Sequence, residues 1–308
     1  MHDSIFAGIR PLDIRGSICA LATPFGSDGA LDLDAFARLL DYQIAGGTQA
    51  VVVAGSTGEA HMLEHAEFDQ LLAFAVRHVA GRVPVIAGTG EAGTAKTVTL
   101  TRRAAELGAD AALVVTPYYV RPTQEGLRRH FIEVADKGGL PVILYNVPGR
   151  TGCDMLPETV AMLRDHPRIV GIKEARADGE RIRAMAELVR ADFVYLSGDD
   201  GTARQAMLAG AAGTISVVAN LVPGVFRELC DAAVAGQADV AEQVDARLSP
   251  LVEALNGAPN PIAVKAGLPL LDLGTAVPRL PLVELAEGAV RQEIHRALAR
   301  LVPLAVAA

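Results

Sequence analysis

Residues 141–174, PVILYNVPGRTGCDMLPETVAMLRDHPRIVGIKE, carry the reading that decides the fold. Two short apolar runs, PVILYN (141–146) and RIVGIK (168–173), flank a loop and a segment of helical character. Neither run alternates apolar with polar residues, as a strand with one wet face would. A continuous apolar run of this length reads as a parallel strand covered on both faces. Working outward, the same pattern recurs in SICALAT (17–23), QAVVVAG (49–55), VPVIAG (83–88), AALVVT (111–116), FVYLSG (193–198) and GTISVV (213–218). Segments with helical periodicity lie between, such as LDLDAFARLLDYQIAGG (31–47) and TAKTVTLTRRAAELG (94–108). Eight strand–helix units predict an α/β fold, a (β/α)8 barrel of the TIM type. A doubly wound open sheet is the alternative, because periodicity counts strands without closing them.

After about residue 236 the apolar runs stop. Stretches 238–255 and 283–301 read as helices, with APNP (258–261) and LPLLDLG (268–274) as breaks. The expected organisation is a barrel over 1–235 and a C-terminal helical appendage over 236–308.

Composition narrows the partners. The 308 residues are 51% hydrophobic and 21% charged, which suits a large core and excludes wholesale disorder. A net charge of −8 and a pI near 5.4 argue against nucleic acid or an anionic membrane as partner. Cys19, Cys153 and Cys230 are too few and too scattered for a disulfide framework or a thiolate zinc site. The N-terminal MHDSIFAGIR lacks a secretory h-region, and no apolar run reaches the roughly 18 residues of a membrane helix. A soluble, cytoplasmic protein is expected.

In such a barrel the chemistry sits where the strands end. Those ends read GSTGE (55–59), TPYY (116–119), YNVPGR (145–150), KE (173–174), SGDD (197–200) and AN (219–220). The seven histidines fall in loops or helices, so no imidazole cluster is expected at the mouth. His61 and His65 have i, i+4 spacing, but the bland reading as surface or interface residues is preferred to a metal pair. Lysine is scarce, with four residues against 24 arginines. Lys96 and Lys137 fall in amphipathic stretches as solvated charges, and Lys265 reads as structural. Lys173 alone ends an apolar run. An amine there has apolar walls along its stem, where desolvation disfavours the charged form and would give a nucleophile for carbonyl carbon. The competing reading is a structural pair with Glu174 or with a barrel carboxylate.

Tyr145 ends the neighbouring run, where a phenol suits proton shuttling to a carbinolamine oxygen, with Ser56 and Thr57 as relay partners. The glycines of GSTGE let main-chain amides face a small carboxylate, although an ordinary helix-capping turn would look alike. Arg150 is placed to pair with a second carboxylate. Gly88–Gly93, GTGEAG, matches a dinucleotide fingerprint, yet the next strand ends in Val115-Thr116-Pro117 without the required acid, so a tight turn is preferred.

Taken in order, GSTGE, TPYYVRP, YNVPGRTG, GIKEA, SGDD, ISVVAN and NPIxVK resemble the dihydrodipicolinate synthase family of pyruvate-dependent class I lyases and aldolases. The likeness runs from Gly16 to about Leu282. It implies condensation of pyruvate with aspartate-4-semialdehyde through an imine on Lys173, without an organic cofactor. It further implies a proton relay of Tyr145, Ser56 and Tyr119, with Tyr119 reaching a neighbouring subunit's site. Thr57 and the turn amides would hold the pyruvate carboxylate, with the backbone at Ile215 lining its pocket. Arg150 would take the second carboxylate, with Gly198 nearby. The family is usually a tetramer built from two tight dimers.

Two departures are visible. Ser56 stands where the synthase usually has Thr, a feature shared with sibling aldolases that cleave sugar acids; Arg150 argues against those siblings. Second, the positions matching Phe68, Ala92 and Lys96 are typically His, Asn and Glu in members inhibited by lysine. Lys96 would set an ammonium against the effector's own, so weak or absent inhibition is expected. The rivals are a sibling aldolase using Lys173 and Tyr145 on another 4-hydroxy-2-oxo acid, and a non-catalytic barrel sensing an oxo acid.

Overall fold

The structure, a computed structural model, describes residues 14–304. His2 and the N-terminal segment read for a secretory signal lie outside them. Each apolar run forms a strand followed by helix. β1 (Gly16–Ala20) leads to α1 (Leu33–Ala45), β2 (Ala50–Val53) to α2 (His65–Val79), β3 (Val85–Gly88) to α3 (Thr94–Glu106) and β4 (Ala111–Val115) to α4 (Gln124–Lys137). β5 (Val142–Asn146) is followed by the single turn α5 (Pro148–Thr151) and by α6 (Pro157–Leu163). β6 (Ile169–Glu174) precedes α7 (Gly179–Ala186), β7 (Val194–Ser197) precedes α8 (Ala203–Leu208), and β8 (Gly213–Ser216) precedes α9 (Pro223–Val234). Neighbouring strands pair in parallel in chain order, and β8 returns to β1, so the sheet closes. The open-sheet alternative is excluded.

Two apolar clusters explain why the strands are continuously apolar. Ile18, Val52, Ile86, Leu113, Ile143, Leu196 and Ile215 fill the barrel interior. Val51, Val53, Val114, Leu144 and Ile172, one residue out of phase, pack against the helices. The helices present matching stripes. On α1, Phe36, Leu39 and Leu40 are buried, and Asp32 caps the start by accepting the Ala35 amide at 2.9 Å, a contact worth about 1 kcal/mol.

At Gly236 (φ +72) the chain turns from α9 into α10 (Ala238–Leu255), followed by α11 (Ile262–Gly267) and α12 (Ala289–Ala299). Leu229 and Phe226 of α9, Leu248 and Leu251 of α10, and Ile294 of α12 belong to the cluster that surrounds the barrel. The appendage therefore continues the main core. Its last helix starts at Ala289, six residues later than the expected 283. Leu280 and Val283 are largely exposed, and of the apolar residues just before Ala289 Leu285 packs, half-buried, against the core.

Candidate active site

Strand alternation places Lys173, the residue expected from sequence to be the nucleophile. Lys173 pairs in register with Tyr145 of β5 and Leu196 of β7, whose side chains face the barrel interior, while Ile172 belongs to the outer cluster. Lys173 and Tyr145 are both buried, and the Lys173 Nζ lies 4.4 Å from the centre of the Tyr145 ring. Both border a cavity of about 280 Å³ whose apolar wall includes Ala20, Val52 and Leu113. The Lys173–Glu174 pair weighed from sequence does not form. Glu174 faces outward and bonds Asn146 and Arg181, at 3.0 and 3.1 Å. Gly198 is placed against the lysine stem: a Cβ there would come within 3.0 Å of Lys173 Cε and of Ala175 Cβ. The missing side chain leaves the amine room.

Ser56, Thr57, Arg150 and Gly198 border the same cavity. The Thr57 hydroxyl accepts from Asn260 Nδ2 at 3.0 Å, and the Asn260 carbonyl accepts from Arg150 at 3.0 Å. Ile215 is buried within the barrel, with Val217 rather than Ile215 on the cavity wall. Tyr119 is not brought to this chain's cavity. It is 91% exposed and held at φ +71, a left-handed conformation rare for a bulky residue, with its amide bonded to the Thr151 carbonyl. Tyr118 donates to Glu91 at 2.9 Å, and burial, aided by that bond, raises its phenol to about 12. His61 lies against the Tyr118 ring at 4.7 Å, and burial lowers its pKa.

Three features escaped the sequence reading. Asp200 borders the cavity, accepts the Val217 and Val218 amides at 2.9 and 2.8 Å, and is raised in pKa by burial. Asn260 joins Thr57 to Arg150. Lys265, fully buried, forms an ion pair with the equally buried Glu59. The first lay within SGDD and the others within or beside GSTGE and NPIxVK, but only the tertiary fold reveals their partners. The glycines of GTGEAG serve packing: a Cβ on Gly88 would meet the Ala54 carbonyl at 2.0 Å, and one on Gly90 the Val115 amide at 2.4 Å.

The family model described as the dihydrodipicolinate synthetase family matches residues 13–301. The chain belongs to that family. Among dihydrodipicolinate synthetase relatives, the 4-hydroxy-tetrahydrodipicolinate synthase of Xanthomonas axonopodis pv. citri is 61% identical over 275 residues, covering 89% of this chain and 91% of the relative. The enzyme of the same name from Pseudomonas aeruginosa is 49% identical over 89% of this chain and 94% of its own. A crystal structure of the chloride-inhibited dihydrodipicolinate synthase of Acinetobacter baumannii with pyruvate superposes with a TM-score of 0.91 at 42% identity, covering 94% of this chain and 99% of that one. A monomeric dihydrodipicolinate synthase variant also superposes with a TM-score of 0.91, at 40% identity, covering 94% and 97%. Membership makes the chain an enzyme of the lyase class. Among the described residues of this dihydrodipicolinate synthetase family member, no group of three or more His, Cys, Asp or Glu is arranged to hold a metal, and no helix is long and apolar enough to cross a membrane.

Proposed function

We propose that the enzyme condenses pyruvate with L-aspartate-4-semialdehyde through an imine on Lys173, giving 4-hydroxy-tetrahydrodipicolinate for diaminopimelate and lysine biosynthesis. The observation that carries this reading is Lys173, buried at the end of β6 beside the Tyr145 ring, with no carboxylate paired to it among the described residues.

In the proposed sequence, the Lys173 amine attacks C2 of pyruvate, and the carbinolamine loses water to form the imine. Tyr145, relaying with Ser56 and a neighbouring subunit's Tyr119, carries protons to and from that oxygen. Thr57 and the turn amides hold the pyruvate carboxylate, near the backbone of Ile215. Loss of a C3 proton gives the enamine, whose C3 bonds to the aldehyde carbon while the aldehyde oxygen takes a proton. The substrate's own amine then attacks C2, closes the ring and releases Lys173. Arg150 holds the second carboxylate beside Gly198. No organic cofactor enters. Pyruvate with borohydride should fix a mass adduct on Lys173 and none on a Lys173→Ala protein; an unmodified Lys173 would exclude the mechanism.

Ser56 supports a second reading, a sibling aldolase cleaving a sugar acid or another 4-hydroxy-2-oxo acid to pyruvate. Turnover of such acids, with none of aspartate semialdehyde, would establish it. We also propose a homotetramer of two tight dimers, supported by the exposed Tyr119. Lysine should inhibit weakly or not at all, because Lys96, with His65 and Arg103, lines the surface depression beside Glu91 and Asp69. Strong inhibition at millimolar lysine would refute this.

A further inference from the structure

The chain's other buried lysine is a group the proposed chemistry does not use. Lys265 of α11 donates to Glu59 Oε1, and both side chains are fully buried. Glu59 Oε2 accepts the Arg279 amide at 2.8 Å. Lys265 Nζ and Arg279 Cζ stand 4.2 and 4.3 Å from the centre of the Phe25 ring, itself buried. Glu59 closes the GSTGE turn, two residues after Thr57, and has φ +55, where a side-chain-bearing residue is strained. Such strain persists only where its surroundings over-determine it. Here the surroundings are supplied by residues some 200 positions away.

Stability alone does not call for this arrangement. Apolar side chains of similar volume serve a buried site as well as an ion pair, or better. What a pair adds is a defined geometry, since each charge must meet its partner's atoms while apolar groups slide. That geometry is imposed on the turn whose Gly55, Ser56 and Thr57 line the cavity. Asn260, in the same distant segment, fastens Thr57 directly. The Thr23 hydroxyl holds the intervening Gly58 carbonyl at 2.6 Å.

We propose that Glu59 and Lys265 are positioning residues for the oxo acid: their pairing clamps the 55–59 turn to the C-terminal segment and so sets the groups that receive the substrate carboxylate. This rests on the reading of that turn as the pyruvate carboxylate site. The pair touches no reacting atom, so it acts first on oxo-acid binding, while Arg150 is reached only at one remove, through the Asn260 carbonyl.

The test is borohydride trapping against pyruvate concentration, with steady-state kinetics, on the full chain carrying Glu59→Met with Lys265→Met, and separately Glu59→Gln. The double variant removes both charges and keeps the volume. Glu59→Gln keeps an acceptor for Lys265 and turns an amide toward the Arg279 N–H. In the double variant the half-saturating pyruvate concentration should rise about tenfold or more, and in Glu59→Gln about threefold, while maximal trapping and the KM for aspartate semialdehyde stay within about twofold. A purely structural pair would lower melting temperature and yield without moving half-saturation of the folded protein. Unchanged half-saturation in the folded double variant overturns the proposal, as it does in Glu59→Gln where the double variant does not fold. Failure of pyruvate to be trapped on Lys173 of the unsubstituted protein would overturn the underlying reading as well, which separates the two failures.

Discussion

Lys173 and Tyr145 face each other because two adjoining strands end in register, and each residue alone is unremarkable. A phenol that moves protons in the transition state contributes differently from one that packs. Tyr145→Phe preserves the ring beside Lys173 and deletes the hydroxyl, so kcat should fall by roughly 10²- to 10⁴-fold. The pyruvate adduct on Lys173 should still form, more slowly. A kcat close to that of the unsubstituted enzyme, measured with purified Tyr145→Phe, would remove Tyr145 from the relay. Both residues were legible in the sequence because they end apolar runs, and strand ends are where a barrel places chemistry. The Thr57–Asn260 and Glu59–Lys265 partnerships were not. They join positions separated by 203 and 206 residues, and nothing local in either segment announces a partner so far along the chain.

Between elements, α3 and α4 are joined by a buried imidazole. His130 of α4 is bonded through Nδ1 to the Thr94 hydroxyl at 3.0 Å, and its Nε2 is buried with no hydrogen-bond partner among the described residues. Burial lowers its pKa to about 4 from the ordinary value near 6.5. The native state therefore keeps the ring neutral where the unfolded chain already binds a proton. Stability supplied by the neutral ring is present above about pH 6.5 and is lost as the pH falls toward 4. The unsubstituted protein should lose on the order of 2 kcal/mol more than His130→Gln between about pH 7 and about pH 4.5, read from urea midpoints. Parallel loss in the two proteins would show that His130 does not carry the dependence. The strands were readable because burial on both faces makes them uniformly apolar. Residues 283–288 deceived for the opposite reason: apolar spacing is present, yet Val283 meets solvent, Leu285 is only half-buried, and the helix waits for Ala289.

At the scale of the molecule, an exposed tyrosine in a left-handed conformation is a costly feature for a lone chain to keep. If Tyr119 completes another subunit's relay, two individually inactive proteins should repair each other. A Lys173→Ala subunit retains Tyr119, and a Tyr119→Phe subunit retains Lys173, so mixed dimers formed by subunit exchange hold one complete site. Mixing should restore turnover that neither protein has alone; silence in a mixture shown to contain hybrids would confine Tyr119 to its own chain. The distribution of lysines has a consequence of another kind. Oxo acids and aldehydes condense with any free primary amine they meet. On this surface Lys96 and Lys137 are the exposed lysines, and Lys137 is engaged by Glu133, while arginines, which stay protonated, carry most of the outer positive charge. If the enzyme works on an oxo acid and an aldehyde as proposed, it offers them few places to foul it, and slow chemical ageing of its side-chain amines by those substrates is confined largely to two positions.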